Sequence, residues 1–135
     1  MKLVIDTNEI FSFFNQKSKA RELALLPYLE LYSPEFALVE IEEHKIEIMK
    51  KFSLSEAQFL FIMKLLKTIV KFSKENEYSE FLAEAVRISP DPDDVDFFAL
   101  ALMHSCSLWS EEVKLKQQSR VRVINTGELI EKLES

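Results

Sequence analysis

Asp6 ends the apolar run Leu3-Val4-Ile5, and no basic residue stands beside it. An ionised carboxylate at the end of a buried strand loses several kcal/mol of hydration unless it gains partners. Three other stretches carry acids at comparable places. Glu40, Glu43, His44 and Glu47 follow the spacing of a single helix face, with Phe36 and Ala37 one turn ahead of Glu40. "SPDPDDVDFFALAL" puts Asp91, Asp93, Asp94 and Asp96 at the start of a helical pattern. A cap at Asp91 with Asp94 as the third-position acid accounts for only two of these four. Asp94 shares a face with Phe98, Ala101 and Leu102 and so turns inward, whereas Asp93 looks outward. Ser110-Glu111-Glu112 follows the apolar "SCSLW". Carboxylates gathered at one place repel one another unless cations join them. Hard divalent ions such as Mg²⁺ or Mn²⁺ take oxygen ligands, retain water and link one or two carboxylates to a phosphate. Paired ions of this kind activate water for an in-line phosphodiester displacement.

For these acids to meet, strands must deliver them to one edge. Residues 2–6 read as a short buried strand and 120–125, "RVRVIN", as a second with alternating character. "LELYS" at 29–33 and "CSLWS" at 106–110, short and apolar, read as two more. Helical patterns cover 8–25 with a break near Gln16, then 35–51, 54–74, 79–88, 92–104 and 127–134. Ser33-Pro34 and Asp91-Pro92 each place a cap before a Pro at the first helical position, and Ser53-Leu54-Ser55-Glu56 reads as a capping box. Strands alternating with helices predict a parallel sheet covered on both faces, an α/β sandwich whose ligands bind at the carboxyl ends of the strands. Asp6 sits at such an end. "SEAQFLFIMKLLKTIVKF" is the most hydrophobic helix, either deeply buried or half of a dimer interface.

With 135 residues, 47% of them apolar, including 11 Phe, and 30% charged, the chain fits one domain over 1–135 with a core of its own. The net charge of −6 argues against a protein that coats nucleic acid by bulk positive charge. It does not exclude an enzyme acting on nucleic acid, because a site that holds divalent cations must itself be acidic. A single Cys, Cys106, excludes an internal disulfide and a cysteine zinc cluster, and reads as a small buried apolar residue. No segment reaches the roughly 18 apolar residues of a membrane span, so a cytoplasmic protein without membrane contact is expected.

"LVIDTNEIFSFF", "VEIEEH", "DDVDFFALAL" and "LWSEEVKL" resemble the four signature stretches of the PIN-domain nucleases, a likeness that covers nearly the whole chain. The resemblance implies a three-layer α/β/α sandwich and a ribonuclease, of the kind found as VapC-type toxins, that cuts RNA with Mg²⁺ or Mn²⁺. It also implies a homodimer and, in a toxin, an antitoxin protein as partner. Carried over, the family's acids fall on Asp6, flanked by Thr7 and Asn8, on Glu40 with Glu43 as alternate, and on Asp94 with Asp96 as the competitor two residues on. The fourth falls on Glu112. There the chain departs from the family, which shows Thr or Ser, often Gly, then Asp, where this sequence has Ser110, Glu111 and Glu112. The longer arm of Glu112 still reaches an ion or its water, while the loop loses the freedom of Gly. PIN chemistry needs no histidine, which assigns His44 to the surface or to a place behind the acids. Trp109 reads as core or interface. Lys114, Lys116, Arg120 and Arg122, or Lys50 and Lys51, are the candidates to hold RNA. An alternative reading keeps the fold as a weakly active or inactive binding module. A haloacid-dehalogenase-like phosphatase fits poorly, because its second Asp is here Asn8.

Overall fold

The computed structural model describes residues 1–135. Five strands, β1 (Lys2–Ile5), β2 (Glu30–Pro34), β3 (Val70–Ser73), β4 (Ser107–Trp109) and β5 (Val123–Ile124), form one sheet in the order β3-β2-β1-β4-β5. Every pairing is parallel. Around it run α1 (Thr7–Ser12), α2 (Lys19–Ala24), α3 (Phe36–Glu43), α4 (Lys45–Lys51), α5 (Glu56–Ile69), α6 (Glu75–Tyr78), α7 (Leu82–Ile88), α8 (Val95–His104) and α9 (Thr126–Glu134). None of them is long and apolar enough to cross a membrane.

Successive side chains of a strand point to opposite faces, and here the alternation separates two cores. Leu3, Ile5, Leu31, Trp109 and Ile124 face the layer built from α1–α5 and α9. Val4, Tyr32, Leu108 and Val123 face the layer of α6–α8. The result is the three-layer α/β/α sandwich. Trp109 is wholly buried and its indole N–H donates to Thr126 Oγ1 at 3.1 Å, so it belongs to the core.

The fold departs from the sequence reading at six places. Pro34 ends β2 instead of opening a helix, so Ser33 is no cap, and the capping box of α5 is Ser55 with Gln58 rather than Ser53 with Glu56. The pattern at 54–74 is not one helix: α5 ends at Ile69, Val70 turns extended at φ −114° and ψ 129°, and β3 follows at once. No Gly or Pro marks that boundary. The strand exists because Val70, Lys71 and Phe72 pair with Leu31, Tyr32 and Ser33 of β2. The helix over 35–51 breaks at His44, which leaves the helical region at φ −99° and ψ 13°. The strand over 120–125 shrinks to two residues. Cys106 is half-buried rather than fully so. Left-handed backbone, usually a Gly task, falls to Ser53 and Ser105, with φ of 53° and 50°. Ser105 closes α8 in this way and turns the chain into β4.

Candidate active site

Register brings the acids together. Ile5 pairs with Trp109, so the residues after them, Asp6 and Ser110, leave the sheet side by side at its carboxyl edge. The Asp6 amide donates to the Trp109 carbonyl at 3.2 Å, which carries the alignment one residue past the strand. β2 ends at the same edge, where the Ser33 hydroxyl donates to the Ile5 carbonyl at 2.9 Å and α3 then carries Glu40 back toward Asp6. α8 packs across β1 and β2 and presents Asp94 from its start.

Asp6, Glu40, Asp94 and Glu112 line one cleft of about 420 Å³, with Thr7, Asn8, Phe11, Phe36, Asp91, Asp93 and Phe97. Six of its eleven lining residues are acids and none is basic. The edge-to-face pair of Phe36 and Phe97, 5.5 Å between centroids, closes one side. The Asp6 carboxylate caps α1, accepting the Glu9 amide at 2.8 Å. Ser110, buried, accepts the Glu112 amide at 3.1 Å, and its side chain beside Asp6 favours the ionised carboxylate.

The electrostatics follow from burial without cations. Burial pushes Asp6 up to about 6; the Ser110 and Glu9 hydrogen bonds oppose this, and the charges of Glu112 and Glu111 add to it. Asp94 rises to about 7, first through burial and then through the charges of Glu112, Asp91, Asp6 and Asp93. Glu40 is also raised, chiefly by burial, with His44 opposing. Asp94 occupies the N-cap of α8, yet its side chain makes no capping bond; the cap bond in this turn belongs to Asp91, which accepts the Asp93 amide at 2.9 Å.

The competing acids fall elsewhere. Asp96 points away from the cleft and accepts the buried Tyr78 hydroxyl at 2.6 Å. Glu43 is exposed and does not line the cleft. His44 lies half-buried behind Glu40, with Nδ1 2.8 Å from the Glu40 carbonyl and its ring edge-on to Phe11. Of the basic candidates, Lys114 pairs with Asp91, Lys116 with Glu128 and Arg120 with Glu84.

Two acids that the sequence reading passed over complete the region. Glu9 is 4% exposed and is pushed up to about 8, by burial first and then by the Asp6 charge. It therefore keeps its proton at neutral pH and shares a hydrogen bond with Glu111. Glu111 in turn accepts from Thr126, at the amide (2.7 Å) and the hydroxyl (3.0 Å). The signal was present: Asp6-Thr7-Asn8-Glu9 has the spacing of a capping box. The Glu9 carboxyl is instead taken by Glu111, more than a hundred residues away.

The donor set suits a hard divalent cation, since it is all oxygen and, apart from Lys114 at Asp91 on its rim, has no positive side chain to relieve its repulsion. The Thr7 hydroxyl, buried without a partner, adds another oxygen at the same cleft. No three carboxylate or imidazole groups stand close enough to enclose an ion directly. An ion that keeps several waters and touches one or two carboxylates fits this spacing, as Mg²⁺ characteristically does.

No curated protein sequence matches the chain. Among solved structures it is similar to the crystal structure of VapBC2 from Rickettsia felis bound to a DNA fragment from their promoter. The TM-score is 0.62 and the identity 14%, over 93% of this chain and 98% of the other. The family model of the PIN domain matches residues 4–128. That match spans nearly the whole sandwich and its acidic edge, and the chain belongs to the PIN domain family.

Proposed function

We propose that the chain, acting as one domain, is a divalent-metal-dependent endoribonuclease. The observation that supports it best is the cleft itself: six acids and no base, drawn from four separate segments to the carboxyl edge of a parallel sheet. In this reading Asp6, Glu40, Asp94 and Glu112 hold Mg²⁺ or Mn²⁺, directly or through water. A cation bound there supplies Lewis acidity toward an RNA phosphodiester and lowers the pKa of coordinated water. The protein's own part is positioning. Ser110 and the start of α1 fix Asp6, the Phe36–Phe97 pair walls the cleft, and Asp94, which burial and neighbouring acids push up further than Asp6, gains from a cation beside it.

The VapBC2 pair of Rickettsia felis supports reading the chain further as the toxin of a toxin-antitoxin pair. Under that reading its partners are an antitoxin protein and a second copy of itself, and its place is the cytoplasm. A second reading, a PIN-fold binding module with little turnover, draws on the absence of three converging ligands and on Glu111-Glu112 in place of the family's more compact loop.

Incubation of the purified protein with single-stranded RNA in Mn²⁺ or in EDTA separates the two. The nuclease reading expects cleavage in Mn²⁺ that EDTA abolishes. Intact RNA under both conditions favours the binding module.

A further inference from the structure

The acidic cleft does not end at its own walls. It shares Asn8 and Phe11 with a neighbouring cavity of about 490 Å³ beside His44 and α4, and that cavity shares Asn15, Lys51 and Phe52 with a third of about 660 Å³. The third lies between the turn that joins α1 to α2 and the start of α5. Its charge is opposite to that of the cleft: Lys17, Arg21 and Lys51 line it, and no acid does. None of the three engages in an ion pair, unlike Lys114, Lys116 and Arg120. Lys51 rests over the Phe52 ring, 5.5 Å from its centroid. Phe61, on the same wall, is 66% exposed, an aromatic face with nothing of this chain stacked on it. Glu47, in the middle cavity, is the acid on the route between the two ends.

We propose that this trough is the path of a single-stranded RNA into the acidic cleft. Lys17, Arg21 and Lys51 contact phosphates and Phe61 is a platform for a base. The inference rests on the ribonuclease reading of the cleft and deepens it. Unpaired bases can turn inward onto an aromatic side chain while the backbone follows positive charge, whereas a duplex keeps its bases stacked inside and cannot enter a trough of this kind. Attraction at the far end also offsets the repulsion that a polyanion meets at the acids, so the strand is held where its approach is favourable and cut where the cations sit.

The test is fluorescence anisotropy of a labelled single-stranded RNA of about 12 nucleotides, titrated in EDTA over a range of salt so that binding is read without cleavage. K17A/R21A/K51A is expected to weaken binding about 10-fold or more and to flatten the salt dependence by about 2 in log–log slope, at roughly 0.7 for each phosphate contact. F61A is expected to weaken it about 5-fold with the slope unchanged, the signature of lost stacking. Both variants alter exposed or half-exposed side chains, and circular dichroism checks that they fold. Wild-type binding that K17A/R21A/K51A leaves intact while K114A/K116A/R120A loses it overturns the path, as does a wild type that binds no single-stranded RNA or prefers an acidic peptide to it. A wild type that binds along the trough yet cuts nothing in Mn²⁺ removes the ribonuclease reading and leaves the path standing. One that cuts RNA with the triple variant unimpaired does the reverse.

Discussion

Asp91 and Asp94 stand three residues apart on one turn and behave in opposite ways. Asp91 lies on a rim where acids have cations: it pairs with Lys114 as Glu128 does with Lys116 and Glu84 with Arg120. Its carboxyl is held below the usual range, by the Asp93 amide first and then by Lys114. Glu128 is likewise lowered, chiefly by Lys116. Asp94 faces the cleft, where burial and four neighbouring carboxylates push it up to about 7. The difference lies in what compensates each charge. At the outer edge, where Asp91 lines the cleft, the chain supplies its own cation; at Asp94 it supplies none, and the charge is left to be met from solution.

The largest effect that separates the two regions is on catalysis. Asp94→Asn and Asp6→Asn should lower RNA cleavage by roughly 100-fold or more, the scale on which removal of a group acting in the transition state is felt. Because each removes one of several like charges, both variants should melt at or above the wild-type temperature in EDTA and gain less from added Mn²⁺. Thermal unfolding of the three proteins with and without Mn²⁺ measures this beside the cleavage assay. Asp91→Asn should keep the full Mn²⁺ gain; if it loses as much as Asp94→Asn, the rim and the cleft are not distinct.

pH gives the next largest contrast. Glu9, Asp94 and Asp6 have folded-state values of about 8, 7 and 6, above those of an unfolded chain. The folded protein thus binds protons more tightly than the unfolded one, and the stability tied to these groups is complete below about pH 4 and lost as pH rises through 6 to 8. Without metal, the melting temperature should fall by on the order of 5 °C between about pH 5.5 and about pH 8.5. Glu9→Gln, which keeps a hydrogen-bond donor toward Glu111, should flatten that profile. A melting temperature that rises across the same interval in EDTA contradicts the assignment.

Asp96 offers a smaller, structural contrast with Asp94. Asp96→Asn weakens the charge-assisted bond from Tyr78, at a cost of about 1 kcal/mol, and Tyr78→Phe should cost a similar amount. Both should retain cleavage and the Mn²⁺ gain. Loss of Mn²⁺ stabilisation in Asp96→Asn would move the ligand assignment two residues along α8. The smallest effect expected is that of Asp91→Ala, a few degrees lower in melting through loss of a cap, with cleavage maintained.

Much of this site was legible because local signals carry it. An acid directly after an apolar run, the cap-then-Pro of Asp91-Pro92, and the repeat of strand then helix are all short-range features. Each is set by burial and backbone chemistry within a few residues, and together they predicted the parallel sandwich and the edge at which Asp6, Glu40, Asp94 and Glu112 assemble. β3 was not legible, because Thr68, Ile69 and Val70 continue the helical apolar pattern and no breaker interrupts it. Its extended backbone is secured by pairing with β2, nearly forty residues earlier in the chain.

The finer choices had the same character. Asp94 and Asp96 compete on equal terms in the sequence, and it is Tyr78, from a different helix, that draws Asp96 aside. Lys114, Lys116 and Arg120 read as free charges until the fold sets an acid beside each. Glu9 looks like an exposed first-turn acid until Glu111 arrives from the end of β4 and it is buried with its proton. By itself the sequence determined which residues must leave water and which backbone each short stretch prefers, since those are properties of the residue and its neighbours. Which acid meets a cation, which meets another acid and which meets a hydroxyl was decided by tertiary structure alone. Charge and desolvation energies depend on distances through space, and only the folded chain sets those distances.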